Sequence, residues 1–279
     1  MRCSHLAEVW QDHGKVTLHG VVDIAFATER LATLGVTCDE SSPASDSSAV
    51  LICDSYDERV RRECSSASAA LRVMVDDVGN AIPDGFDLVW NPNAYDTNGL
   101  YVGFKGAVIG GPSHVPSRAD IPKWQAAGVS ATAIMLGGGT PPARLVLALE
   151  RMSGGNARHE YSAAGSWAPP GWHSISPIDP WPDVTRHGRL ITAAGTTVWE
   201  AARSGIPVIV VKTAANQDLI FQWAVENGAP GVDATAELDV ATMTAMLLHA
   251  LSRAAPLPYV PNGAPAVRDV FLAMAVRPT

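Results

Sequence analysis

Short runs of aliphatic and β-branched residues recur along this chain, each ending in a polar or glycine-rich step and each followed by a helical pattern. That alternation is what parallel βαβ units require, because two parallel strands can be joined only by a crossover long enough to hold a helix. Ser48–Asp54, Ala70–Asp76 and Phe86–Trp90 read as buried strands, with Tyr101–Ile109 as a fourth. Gly110-Gly-Pro-Ser interrupts the pattern, and a Pro- and Ala-rich stretch follows from Pro112 to Gly128. A second set contains a strand at Ala131–Leu136, a glycine turn, an amphipathic helix over Pro142–Met152, and strands at Arg189–Thr192 and Ile206–Val211 around a helix from about Thr197 to Arg203. Pro265–Ala275 reads as a last helix, its proline in the first turn where a missing N–H costs nothing. The expectation is an α/β chain of two Rossmann-like domains, residues 1–120 and 130–262, with residues 263–279 returning to the first domain.

Of the 279 residues, 47% are hydrophobic and 17% charged, so a packed globular core is expected rather than disorder. The formal net charge of −8 argues against a nucleic acid as partner. No apolar run is long enough to span a bilayer, so no membrane is expected. The four cysteines (Cys3, Cys38, Cys53, Cys64) form no C-x-x-C pair and have no histidine at zinc spacing. They read as reduced thiols of a cytoplasmic protein, with neither metal nor cofactor expected.

The segment Leu190 to Val211 carries the most chemistry. A strand runs into the small-residue turn Ala193-Ala-Gly195 and then into a helix that opens at Thr196-Thr197. Gly195 lets a ligand approach the backbone, and the free amides of a first helical turn favour an anion such as a diphosphate. Glu200, one turn in, has two readings: an acceptor for ribose hydroxyls, or the far end of a capping box begun by Thr197. Gly137-Gly138-Gly139-Thr140 sits at the end of the first strand of its domain, as a second phosphate-facing loop or a plain tight turn. Asp76 and Asp77 are neighbours at a strand end and point to opposite sides, which suits loop hydrogen-bonding better than a paired acid and base. Trp167, Trp172 and Trp181 lie in a Pro/Gly-rich stretch read as a long loop, a candidate wall for an acceptor pocket.

Cys53-Asp-Ser-Tyr56, Val75-Asp-Asp-Val78, Asn91-Pro-Asn-Ala-Tyr95, Gly110-Gly-Pro-Ser-His-Val-Pro-Ser-Arg118, Leu136-Gly-Gly-Gly and Ala194-Gly-Thr-Thr through Asn216-Gln217 follow one another in a characteristic order. In this the chain resembles the UDP-sugar hydrolases of pseudaminic acid synthesis and their spore-coat polysaccharide relatives, over nearly its whole length. The Leu190–Val211 segment is also similar to the donor signature of the transferase that completes lipid II. The resemblance implies the GT-B fold, two Rossmann-like domains whose parallel sheets face a central cleft. It implies Tyr56 and Asn216 as active-site residues, Glu200 as the ribose-binding glutamate, and a nucleotide-sugar site that includes Gly137, Gly138, Gly139, Gly195, Thr196, Thr197 and Gln217. Tyr56 as a rim aromatic, and Asn216-Gln217 as a simple turn, are the alternatives that stay open.

One departure concerns the family's Gly-x-Gly-His-x-x-Arg turn, whose histidine is the base in that family. Met1-Arg2 aligns with the last residues of this motif, and His5, His13 and His19 do not replace the histidine. The expectation is that an upstream strand and glycine loop would add both stability and activity. The function implied is cleavage of the sugar–diphosphate bond of a UDP-sugar by water. Two readings stand beside it: transfer of the sugar to a small-molecule acceptor, and binding of the nucleotide sugar without catalysis. UDP-sugar and UDP are the expected partners.

Overall fold

The computed structural model describes residues 2–19, 25–39, 46–79, 84–126, 128–137, 140–154, 161–164, 167, 169, 172–176 and 178–276. The chain divides into two units, the first made of Met1–Ala119 with Pro261–Thr279, the second of Asp120–Val260.

The first unit opens with helix α1 (Arg2–Trp10), strand β1 (Thr17–His19), helix α2 (Ala25–Thr33) and strand β2 (Thr37–Asp39), the two strands paired in parallel. A second parallel sheet follows in the order β3 (Asp46–Cys53), β4 (Ala69–Val75), β5 (Leu88–Trp90) and β6 (Ala107–Ile109), with helix α3 (Glu58–Ser66) between β3 and β4. Side chains alternate across a strand, and here both faces are covered. Leu71, Val73, Val75, Leu88 and Trp90 face one way into a core with Leu6 of α1, while Met74 and Val89 face the other with Cys53 and Cys64. Asp57 caps α3 by accepting from the Arg59 amide at 2.7 Å. Only the last three residues of the expected Tyr101–Ile109 strand pair, as β6; Tyr101–Gly103 is a turn.

The second unit is one six-stranded sheet, all parallel, in the order β12-β11-β10-β7-β8-β9. Its strands are β7 (Thr132–Met135), β8 (Tyr161–Ala164), β9 (His173–Ser174), β10 (Arg189–Ala193), β11 (Val208–Lys212) and β12 (Gly231–Asp233). Helices α4 (Ala143–Gly154), α5 (Trp181–Val184), α6 (Thr196–Ser204), α7 (Asp218–Glu226) and α8 (Val240–Leu251) connect or flank them. From β7 the chain first winds outward through β8 and β9, then returns and winds the other way from β10. The strand order therefore reverses between β7 and β10, where a doubly wound sheet opens a crevice at its carboxyl edge.

Helix α9 (Ala264–Ala275) belongs to the first unit. Its Phe271 meets Trp90 edge to face at 5.9 Å and Trp10 at 6.5 Å.

Gly188, just before β10, shows how closely backbone packs here. A Cβ at this position would lie 1.8 Å from the Val129 carbonyl oxygen. Gly188→Ala is expected to cost about 2–4 kcal/mol, read as a lower midpoint in urea unfolding; an unchanged midpoint would refute the close approach.

Candidate functional site

In the second unit, three strand ends converge. Leu136, Gly137, Thr140 and Pro141 follow β7; Ala193, Gly195, Thr196 and Thr197 end β10 and begin α6; Thr213, Ala214 and Gln217 follow β11. Together they line a cavity of about 300 Å³ at the point where the strand order reverses. Gly195 is the N-cap of α6 at φ −134°, and no side chain caps the helix. The first-turn amides of Thr196 and Thr197 therefore open toward the cavity, where they and the four threonine hydroxyls favour an anion. Gly137 sits at φ +82°, a left-handed turn that a residue with a side chain adopts only under strain. Among the described residues no carboxylate lines the cavity, and no group of three His, Cys, Asp or Glu gathers to hold a metal.

The remaining residues expected here divide. Gln217 lines the cavity, and its Oε1 accepts from the Thr213 amide at 2.7 Å, so it also shapes the turn. Gly138 and Gly139 lie outside the described residues. Asn216 is exposed in the 3-10 turn Ala215–Gln217 and is not part of the lining. Glu200 is 6% exposed, its Oε2 accepting from the Trp181 indole N–H at 3.2 Å. With Gly195 as N-cap, the third helical residue is Val198, so the capping box from Thr197 to Glu200 does not form. Beyond the cavity, Lys212 pairs with Asp218 at 2.5 Å and Asp233 at 3.1 Å, and those carboxylates raise its pKa.

Thr140 belongs to the glycine loop read as phosphate-facing, whereas Thr213 and Ala214 were not anticipated as lining residues. The signal for them was the step after each strand: Thr213 stands one residue past β11, level with the turn after the neighbouring β10.

The expected part of the tryptophans in an acceptor wall is not what the structure displays. Trp172 stacks on Tyr161, the first residue of β8, at 5.2 Å and donates to Ser153 in the last turn of α4. Trp167 meets Trp172 edge on, and both pack on the core of the second unit. These contacts lie at the amino ends of the strands, opposite the cavity. Trp181 is buried under α6. Large aromatic area is better spent in the core, even within a glycine-rich stretch.

The first unit gathers its polar residues at the carboxyl ends of β3, β4 and β5. Tyr56, 52% exposed, donates to Asp77 Oδ1 at 2.5 Å. Arg61, buried on α3, lies over the Tyr56 ring at 5.6 Å and faces the Asp76 carboxylate at 3.8 Å. Asp76 is fully buried and accepts from the amides of Val78 and Gly79. Of the two neighbouring aspartates, Asp76 is buried and Asp77 is half-buried, where it meets Tyr56. Tyr101 donates to the Asp76 carbonyl at 2.7 Å, and Tyr95 donates to the Asp77 carbonyl. Burial pushes both of these phenols up, so they remain protonated donors.

No family model matches the chain, and a search of curated proteins finds no match. Solved structures do. The fold is similar to Acinetobacter baumannii MurG, with a TM-score of 0.60, 12% identity, and 98% of this chain and 95% of that one covered. It is similar to S. aureus MnaA solved with UDP (0.56, 12%, 100% and 96%). It is also similar to CalG4, the calicheamicin glycosyltransferase (0.51, 14%, 98% and 88%). At such identities the likeness is one of fold: the chain is a GT-B protein of two Rossmann-like units. Among the described residues no helix is long and apolar enough to cross a membrane.

Proposed function

We propose that this chain is a UDP-sugar-dependent glycosyltransferase that moves the sugar onto a small hydroxyl-bearing acceptor. The observation that carries this is the cavity at the strand reversal of the second unit. Its lining offers helix amides and threonine hydroxyls to a diphosphate, and glycine where the backbone must be approached. The same donors that hold the diphosphate stabilise the charge it gains as the bond to the sugar breaks. Fold relatives that include a glycosyltransferase and a protein solved with UDP support the reading. The second unit is then the donor side and the first unit the acceptor side.

Within this assignment Gly137, Gly195, Thr196 and Thr197 hold the diphosphate, and Gln217 fixes the third wall. In the ribose role, Glu200 would exchange its Trp181 bond for a ribose hydroxyl, while Asn216 would need the turn at 215–217 to present it. The ordered motifs shared with the UDP-sugar hydrolases favour a second reading, in which water is the acceptor; Tyr56 serves either reaction.

Calorimetry with UDP and UMP, with and without EDTA, followed by a UDP-release assay on UDP-glucose and UDP-N-acetylglucosamine, tests the proposal. UDP is expected to bind more tightly than UMP and equally well in EDTA, because the lining holds a diphosphate without a carboxylate to hold a metal. Release that rises with an added hydroxyl acceptor supports transfer; release indifferent to it supports hydrolysis. A protein that binds no UDP is not a UDP-sugar enzyme.

A further inference from the structure

At the strand ends of the first unit, the Asp77 carboxylate accepts from Tyr56, an exposed residue of the expected active site. Two buried side chains, Tyr95 and Asn93, and the half-buried Tyr101 fix its surroundings. The phenols of Tyr101 and Tyr95 donate to the carbonyls of Asp76 and Asp77, and Asn93 bridges Tyr95 to Asn91 at 3.0 and 2.9 Å. Arg61, held by the Ser55 carbonyl at 2.7 Å, fixes the ring of Tyr56 from the other side. A surface loop needs none of this support, whereas a side chain that must meet a reacting atom within a fraction of an ångström does.

We infer that Tyr56 and Asp77 form the proton-accepting pair for the acceptor hydroxyl; the inference rests on the transferase reading above. A neutral phenol is a poor base, yet its oxygen accepts one hydrogen bond while its own proton is donated onward. The acceptor O–H bond breaks and its proton passes to Tyr56 Oη, as the phenolic proton of Tyr56 passes to Asp77 Oδ1. The electron pair freed on the acceptor oxygen forms the new bond to the anomeric carbon. The bond from that carbon to the diphosphate breaks, and its pair leaves on UDP. Asp77 then returns the proton to water. Tyr56 is the catalytic residue and Asp77 the positioning residue behind it.

The test uses the whole chain and four variants: Tyr56→Phe, Asp77→Asn, the double variant, and Asp77→Glu. Turnover is read as UDP release from UDP-N-acetylglucosamine, in water and with 4-methylumbelliferone as hydroxyl acceptor. Each single variant is expected to lower kcat about 100-fold while KM for the donor moves less than about threefold, because the pair acts on the proton and not on the diphosphate. The double variant should be no slower than the slower single one, and Asp77→Glu should recover part of the rate. Independently of turnover, the Cζ resonance of Tyr56, one of five tyrosines, should shift in Asp77→Asn. Normal turnover in Asp77→Asn, multiplying losses in the double variant, or an unmoved Cζ resonance each overturn the pair. A wild-type protein that binds UDP but releases none from its sugars overturns the proton-accepting role. A wild-type protein that binds no UDP defeats the transferase reading itself, which the calorimetry reports separately.

Discussion

Gly195→Leu is expected to weaken UDP binding at least 100-fold, about 2.7 kcal/mol, while the protein melts within a few degrees of wild type. The two effects separate because of where Gly195 sits. Its φ of −134° is ordinary extended backbone, so a side chain there meets no torsional penalty. Among the described residues, none beyond its chain neighbours and own helix comes within 4 Å of a Cβ at this position, and Gly195 lines the cavity. The fold loses only a glycine N-cap, about 0.5–1 kcal/mol. The ligand loses its approach: a phosphate oxygen must come within about 2.9 Å of a backbone amide to be bound, and a leucine stands in that path. Calorimetry with UDP, paired with thermal melting, reads both. Unchanged UDP affinity in Gly195→Leu would remove the diphosphate from this cavity.

Acid should act on the first unit through His5. This ring is 1% exposed on α1, and burial, with Arg118 and Arg30 among the nearby positive charges, lowers its pKa to about 3. The folded value lies below the unfolded value of 6.5, so the native state stays neutral while the unfolded chain takes up a proton. Stability is therefore complete above pH 6.5 and falls as pH drops toward 3, by about 4–5 kcal/mol at most. Carboxylates of the unfolded chain titrate near pH 4, so the histidine part is cleanest above pH 4.5, where about 2–3 kcal/mol of the loss belongs. Urea unfolding from pH 7 to 4.5 should give a slope in wild type that His5→Gln removes. Parallel curves for the two proteins would mean that His5 is not held neutral.

What was legible in the sequence follows from how local each signal is. β4, β7, β10 and β11 are largely buried aliphatic runs and β3 a half-buried one, and their bounds fall within about two residues of expectation. β6 is shorter than expected. Gly103 turns at φ +90°, and Gly106 lies so close to the Asp87 carbonyl that a Cβ would come within 2.4 Å of it, which delays the strand. β8, Tyr161-Ser-Ala-Ala164, has no β-branched residue, and it is held by pairing with β7 and β9 and by partners distant in sequence. The Gly195 turn could be read because strand, glycine and helix start lie within a few residues. The partnership of Asp77 could not, since it spans 21 positions and depends on β3 and β4 pairing in parallel, Cys53 with Met74, so that the turn after β3 meets the turn after β4. The tryptophans were misplaced for the same reason: nothing local says that Tyr161 will offer its face to Trp172.

The chain leaves the first unit after Ala119 and does not return until Pro261, having built the whole second unit in between. During synthesis this reverses the usual order in which domains mature. The second unit is complete in one uninterrupted stretch and can close its core as soon as that stretch is free. The first cannot, because Trp90 and Leu88 wait for Phe271 and Val267, which emerge more than 170 positions later. Such distant partners make closure slow and leave the β4–β5 face uncovered meanwhile. The unit translated first is thus the last to mature, and its exposed sheet is the part of the nascent chain that most needs a chaperone.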